Sequence, residues 1–125
     1  MFGKIRAALL VAGMCMLPAL AWAGQPFDAK SFQASQAAGK SILVEVTAPW
    51  CPTCKRQRPI VDQIRKDRPN LVVYEVDFDT GKDALKQLRV QNQSTLVVFR
   101  GASEVGRSTG DTDARSIGAL VAKAF

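Results

Sequence analysis

Histidine is absent from the 125 residues and cysteine occurs only three times, which removes several chemistries at once. Ser-His-Asp hydrolysis needs an imidazole base, and the chain has none. A zinc or copper site gathers about four ligands, and so few thiols without histidine cannot complete a tetrahedral set, so no metal is expected. Three cysteines are also too few for the multi-bridge framework of a small disulfide scaffold. Aromatic residues make up 7%, with a single tyrosine, and none interleaves with the basic run Lys55, Arg56, Arg58. A stacking platform for nucleic acid is therefore missing, and nucleic acid is not an expected partner.

Long apolar stretches are equally scarce, with one at the amino end. Lys4 and Arg6 precede an apolar run from Ala7 to Ala23, broken by Pro18 and closing in Ala21-Trp22-Ala23 before Gly24. A positive segment, an apolar segment and a small-x-small site together read as a signal peptide over residues 1–23, cleaved near Ala23-Gly24. The remaining 24–125 form one domain, expected to be periplasmic or secreted. A retained membrane anchor competes, but the run is shorter than the roughly 20 residues a spanning helix needs. Cleavage removes Cys15 and leaves Cys51 and Cys54 as the only thiols. It also leaves 15 cationic residues against 11 acidic ones, a charge of +4 instead of +6. Such an excess favours solubility and acidic partners rather than a polyanion.

Two kinds of element alternate after the signal, without repeats or low-complexity tracts. Residues 27–40 carry Phe27, Phe32 and alanines at helical spacing and stop at Gly39. Residues 41–48 are almost continuously apolar and β-branched, which predicts a central strand buried on both faces. From Pro52, the spacing of Ile60, Val61 and Ile64 predicts a helix that ends at Pro69-Asn70 and continues through Pro59. Residues 71–78 and 95–100 predict strands, 80–88 a short helix, and 101–110 a hairpin turn with a further strand. Residues 111–125 predict a closing helix capped by Asp111 or Thr112. The sum is an α/β fold with a mixed sheet of about four strands and helices on both faces.

Cys51 and Cys54 fall where the buried strand meets the start of the second helix. Unpaired amides and the helix dipole there stabilise a thiolate on Cys51, with Lys55, Arg56 and Arg58 adding positive potential. Pro52 suits the first helical position, which needs no amide hydrogen. Cys54, one turn further in, is expected to be the more buried thiol, leaving Cys51 exposed. One nucleophilic and one resolving thiol make a dithiol-disulfide exchanger. A purely structural staple is a weaker reading, because closing so short a loop adds little stability.

The stretch ILVEVTAPWCPTCKRQRPIVDQI resembles the active-site region of the thioredoxin family: a hydrophobic strand, Trp50-Cys51-x-x-Cys54-Lys55, and a helix with Pro59 five residues after the second cysteine. VVYEVDFD, TLVVFRGASEVGRSTG and the final helix extend the likeness over nearly all of residues 24–125. The resemblance implies a thioredoxin-like fold, a redox-active Cys51-Cys54 disulfide, Cys51 as attacking thiol and Cys54 as resolving thiol. It implies a thiol-disulfide oxidoreductase, reductase or oxidase, that needs no cofactor and acts as a monomer. Its partners would be exported client proteins with thiols or disulfides, together with a redox partner protein, free or membrane-bound, that recycles the pair.

Four departures from the family pattern stand out. Pro52-Thr53 replaces the usual Gly-Pro between the cysteines. Glu45 stands for the buried aspartate, and Glu75 for the lysine that faces it, so that either two carboxylates lie near each other and one stays protonated, or one of them points to solvent. Ser94 stands where the family has a cis-proline, in the loop Gln93, Ser94, Thr95 that the resemblance turns toward the cysteines and toward substrate. The Gln93-Ser94 bond is expected to be trans, because a cis bond before a non-proline residue costs roughly 2.5–4 kcal/mol. On this reasoning Ser94→Pro is expected to raise turnover on a generic disulfide substrate. The competing function is a non-catalytic module that docks a partner through the altered Ser94 loop; retention of Trp50, Cys51, Cys54, Lys55 and Pro59 together argues against it.

Overall fold

Residues 41–47 form the strand at the centre of the molecule, one residue short of the expected 41–48, and the rest of the fold is arranged around its two apolar faces. The structure, a computed structural model, describes residues 24–125; the expected signal segment, with Cys15, lies outside them. The elements run β1 (Gln25–Pro26), α1 (Ala29–Ala37), β2 (Ser41–Thr47), α2 (Pro52–Asp67), β3 (Val72–Asp77), α3 (Lys82–Leu88), β4 (Thr95–Arg100), β5 (Ser103–Thr109) and α4 (Ala114–Ala122). The strands form one sheet in the order β1-β3-β2-β4-β5. β1 and β2 run parallel to β3, whereas β4 is antiparallel to both β2 and β5.

Successive β2 side chains point to opposite faces, so one apolar run builds two cores. Ile42, Val44 and Val46 pack with Phe32, Tyr74, Leu85, Leu88 and Phe99 under α1 and α3. Leu43 faces the other way, with Val61, Val73, Leu96, Ile117 and Leu120 under α2 and α4. Both faces are covered, which is why the strand shows no polar alternation. Close packing of α4 relies on Gly106 in β5, where a Cβ would stand 2.7 Å from a methyl of Leu120.

Two sequence expectations are corrected. The sheet has five strands rather than about four: β1 is only two residues long and contains Pro26, so it offers no alternation to read, yet it pairs with β3 at Tyr74 and Glu75. The closing helix is capped by Asp113, not by Asp111 or Thr112. Asp113 accepts from Ser116 N–H at 2.7 Å, while Asp111 accepts from the Asp113 N–H and the Ser116 hydroxyl. Pro59 lies inside α2 as expected. No helix among the described residues is long and apolar enough to cross a membrane.

Candidate active site

The chain leaves β2 through Ala48-Pro49-Trp50 and turns at once into α2. Cys51 is the residue that caps this helix. Its backbone is extended (φ −87°, ψ 109°), Pro52 opens the helix, and Cys51 Sγ accepts the Cys54 N–H at 3.1 Å. The sulfur thus takes the place that a serine or aspartate oxygen usually takes, at the positive end of the helix dipole. Cys54 lies in the first turn, its Cα 5.3 Å from that of Cys51, and the two are joined as a disulfide. Pro52 and Lys55 lie on the exposed side of this turn and Thr53 is half-buried.

The expected contrast in burial between the cysteines is not found: each is 2% exposed. The bond draws both sulfurs into one small apolar cluster with Ala48, against which Phe78 packs. Ser94 closes over them. Its Oγ lies 3.1 Å from Cys51 Sγ and 3.1 Å from Cys54 Sγ. All peptide bonds in the described chain are trans, Gln93-Ser94 included.

Ser94 has φ +59°, the left-handed region, and is 4% exposed. Its N–H donates to Val46 O at 2.9 Å, and its carbonyl accepts from Gly110 N–H at 2.9 Å. Proline fixes φ near −65° and has no N–H, so a Ser94→Pro variant keeps neither this conformation nor the bond to Val46 O, which argues against the expected gain in turnover. Thr95 is buried beside it and donates its hydroxyl to Asn92 O at 2.7 Å, which fixes the loop; Gln93 is half-buried.

Two further residues, Gln57 and Asp79, which the sequence did not single out, hold the site. Gln57 is fully buried on α2 and its Nε2 donates to Ser94 O at 3.1 Å and to Asp111 O at 2.7 Å, tying two loops to the helix. Trp50 is 53% exposed, with its Nε1 donating to Asp79 at 2.7 Å. Asp79 is itself placed by Asp77, which accepts from the backbone amides of Asp79 and Thr80.

Glu45 and Glu75 are direct partners in the parallel β2–β3 register, so their side chains share a face. Glu45 is 1% exposed, and neither carboxylate oxygen has a hydrogen-bond partner. Burial, then the neighbouring charge of Glu75 and to a lesser degree Asp62, raises its pKa to about 7, against the opposing pull of Arg58 and Arg65. Glu75 is half-buried and lies 3.7 Å from Arg58. That charge is therefore directed at the carboxylates rather than at Cys51.

The comparisons agree with this geometry. The family model described as Thioredoxin matches residues 25–123. A thioredoxin of Chlamydia trachomatis is 30% identical over 99 residues, covering 79% of this chain and 96% of its own length. The bifunctional thioredoxin reductase/thioredoxin of Mycobacterium leprae is 31% identical over 84 residues, which are 66% of this chain and 18% of that protein. Among solved structures, Trxlp from Edwardsiella tarda EIB202 matches with a TM-score of 0.74 at 39% identity, over 78% of this chain and 96% of its own.

Proposed function

The chain belongs to the thioredoxin family of disulfide oxidoreductases, and from that premise we propose that it exchanges disulfides with exported client proteins through Cys51 and Cys54. The observation that carries this reading is the placement of Cys51 Sγ as the acceptor at the start of α2. There a thiolate is stabilised without any metal or histidine.

In the reducing direction the Cys51 thiolate attacks a client disulfide. A bond forms between Cys51 and one client sulfur, and the other leaves as a thiolate that takes a proton from water. Cys54 then loses its proton and attacks Cys51 Sγ, which expels the second client thiolate and closes the Cys51–Cys54 bond. The proton released by Cys54 passes to solvent in this step. A dithiol partner recycles the pair by the same steps in reverse, and the oxidising direction runs them backward. The Mycobacterium leprae relative is named a bifunctional thioredoxin reductase/thioredoxin, which supports a redox partner protein, free or in the membrane, as the proposed recycler of the pair. Trp50, exposed beside the disulfide and fixed by Asp79, offers a client a rigid apolar contact.

Export to the periplasm or beyond, with cleavage after Ala23, is proposed from the sequence: Lys4 and Arg6, the apolar run and the Ala21-Trp22-Ala23 site. A docking role for the Ser94 loop is not favoured, because Ser94 is buried and its amide and carbonyl are bonded within the chain. The test is a redox titration of residues 24–125 in graded glutathione buffers, quenched by alkylation. The expected result is one reversible two-electron transition, about 30 mV per tenfold change in ratio. A disulfide that resists the most reducing buffer would instead mark a structural staple. The exported fraction is expected to give the intact mass of a chain starting at Gly24; a mass retaining residues 1–23 would contradict cleavage.

A further inference from the structure

A single hydroxyl stands between the two reacting sulfurs. Ser94 Oγ is equidistant from Cys51 Sγ and Cys54 Sγ, at 3.1 Å from each. Its position is held from three sides: Val46 O takes its N–H, while Gly110 N–H and Gln57 Nε2 donate to its carbonyl. A left-handed φ in a residue with a Cβ is uncommon and persists where the surroundings fix it, and such positions concentrate at functional sites. At 4% exposed, the residue competes with little water for its partners.

The chemistry of the three atoms is unequal. A hydroxyl carries one donor hydrogen and can turn it about the Cβ–Oγ bond. Disulfide and thiol sulfurs are weak acceptors, whereas a thiolate forms a charge-assisted bond about twice as strong as a neutral one. Hydrogen bonding to the charged form favours that form. The hydroxyl therefore gains most when one of its two neighbours is ionised, and it needs no backbone movement to serve either.

We propose that Ser94 donates its hydroxyl hydrogen to whichever of the two sulfurs carries the negative charge, first Cys51 and then Cys54. This rests on the exchange reading given above and assigns a residue to its two half-steps. In the reduced protein Ser94 O–H points at the Cys51 thiolate and its oxygen accepts the Cys54 S–H. When Cys51 bonds to the client sulfur and the client's other sulfur leaves with the electron pair, Cys51 becomes neutral. The hydroxyl then turns to Cys54, which has given up its proton, and stabilises that thiolate until it attacks Cys51 Sγ. Two electrons have passed to the client, and Ser94 emerges with its O–H bond intact.

The test is the pH profile of Cys51 alkylation in the reduced protein, mapped by peptide mass, for wild type, Ser94→Ala and Ser94→Gly. Both variants are expected to raise the Cys51 pKa by about one unit, a tenfold loss of thiolate below that pKa, the usual worth of a hydrogen bond to a charged group. The glutathione equilibrium is expected to shift several-fold toward the disulfide. Glycine adopts a positive φ freely, so Ser94→Gly keeps the loop while removing the hydroxyl. If Ser94 serves only to shape the loop, Ser94→Gly will retain the wild-type profile, and the proposal is overturned. Alkylation needs no client, so it reads Ser94 even if the protein exchanges nothing. A wild-type profile in Ser94→Gly, alongside normal exchange, would sink this assignment alone.

Discussion

Glu45 sits in a sheet that gives its carboxylate no hydrogen-bond donor. Such a group prefers to be neutral, which is why its pKa stands at about 7 rather than 4.5. The folded chain therefore holds a proton that the unfolded chain releases between those values. This contribution to stability is complete below about pH 4.5 and is lost as pH rises through about 7, for a total on the order of 3 kcal/mol. Glu45→Gln is expected to abolish this part of the pH dependence. Urea midpoints at pH 5 and pH 8 check it: wild type should lose stability relative to the variant at the higher pH, and parallel behaviour would contradict the assignment. At Ser94 the expected change is in the fold itself. Ser94→Pro must abandon φ +59° and the bond to Val46 O, at a cost of about 2 kcal/mol or more. Its urea midpoint and its turnover should both fall; a variant as stable as wild type would show that the loop can adopt another conformation.

Among the elements, α2 joins three tasks that usually belong to separate segments. The residue just before it, Cys51, supplies the sulfur that caps it, its apolar face covers β2 and β3, and Gln57 fastens the Ser94 loop and the Asp111 loop to it. Pro59 interrupts only the exposed side, where water can satisfy the freed carbonyl. Gln57→Leu keeps the volume but takes the donor from two carbonyls, so a loss of about 1–3 kcal/mol is expected. It should appear as a lower urea midpoint and faster amide exchange at Gly110, whose N–H pairs with Ser94 O. Unchanged values would mean the loops hold themselves. Gln57 was hidden in the sequence by its neighbours. It lies three residues after Cys54 and four before Val61, on the buried face, but within the polar run Lys55-Arg56-Gln57-Arg58 its side chain looked like one more solvated group.

Over the whole molecule, the two parallel strands β2 and β3 end side by side, and the site is assembled beyond their carboxyl ends, as is usual for open α/β sheets. β2 leads into Cys51, and the turn after β3 supplies Asp79 to hold Trp50. The order and type of the elements were legible because apolar periodicity is local: continuous in β2, helical in α2 and α4, with Gly39 and Pro69 as stops. The cysteine pair was legible for the same reason. The resemblance turned the Ser94 loop toward the cysteines, but the place of its hydroxyl between the two sulfurs was not legible, because that contact spans 43 residues from Cys51 and depends on the antiparallel pairing of β4 with β2. The equal burial of the two sulfurs arises from the closed bond and was equally out of reach. The account as a whole turns on Cys51 attacking and Cys54 releasing. Cys54→Ser and Cys51→Ser variants, expressed as the full 125-residue chain and quenched with acid and alkylator, test this by non-reducing electrophoresis and mass spectrometry of the captured species. The expected result is that Cys54→Ser accumulates reducible mixed disulfides through Cys51 while Cys51→Ser accumulates none; capture through Cys54 in the Cys51→Ser protein, with none in Cys54→Ser, would reverse the roles and contradict the account.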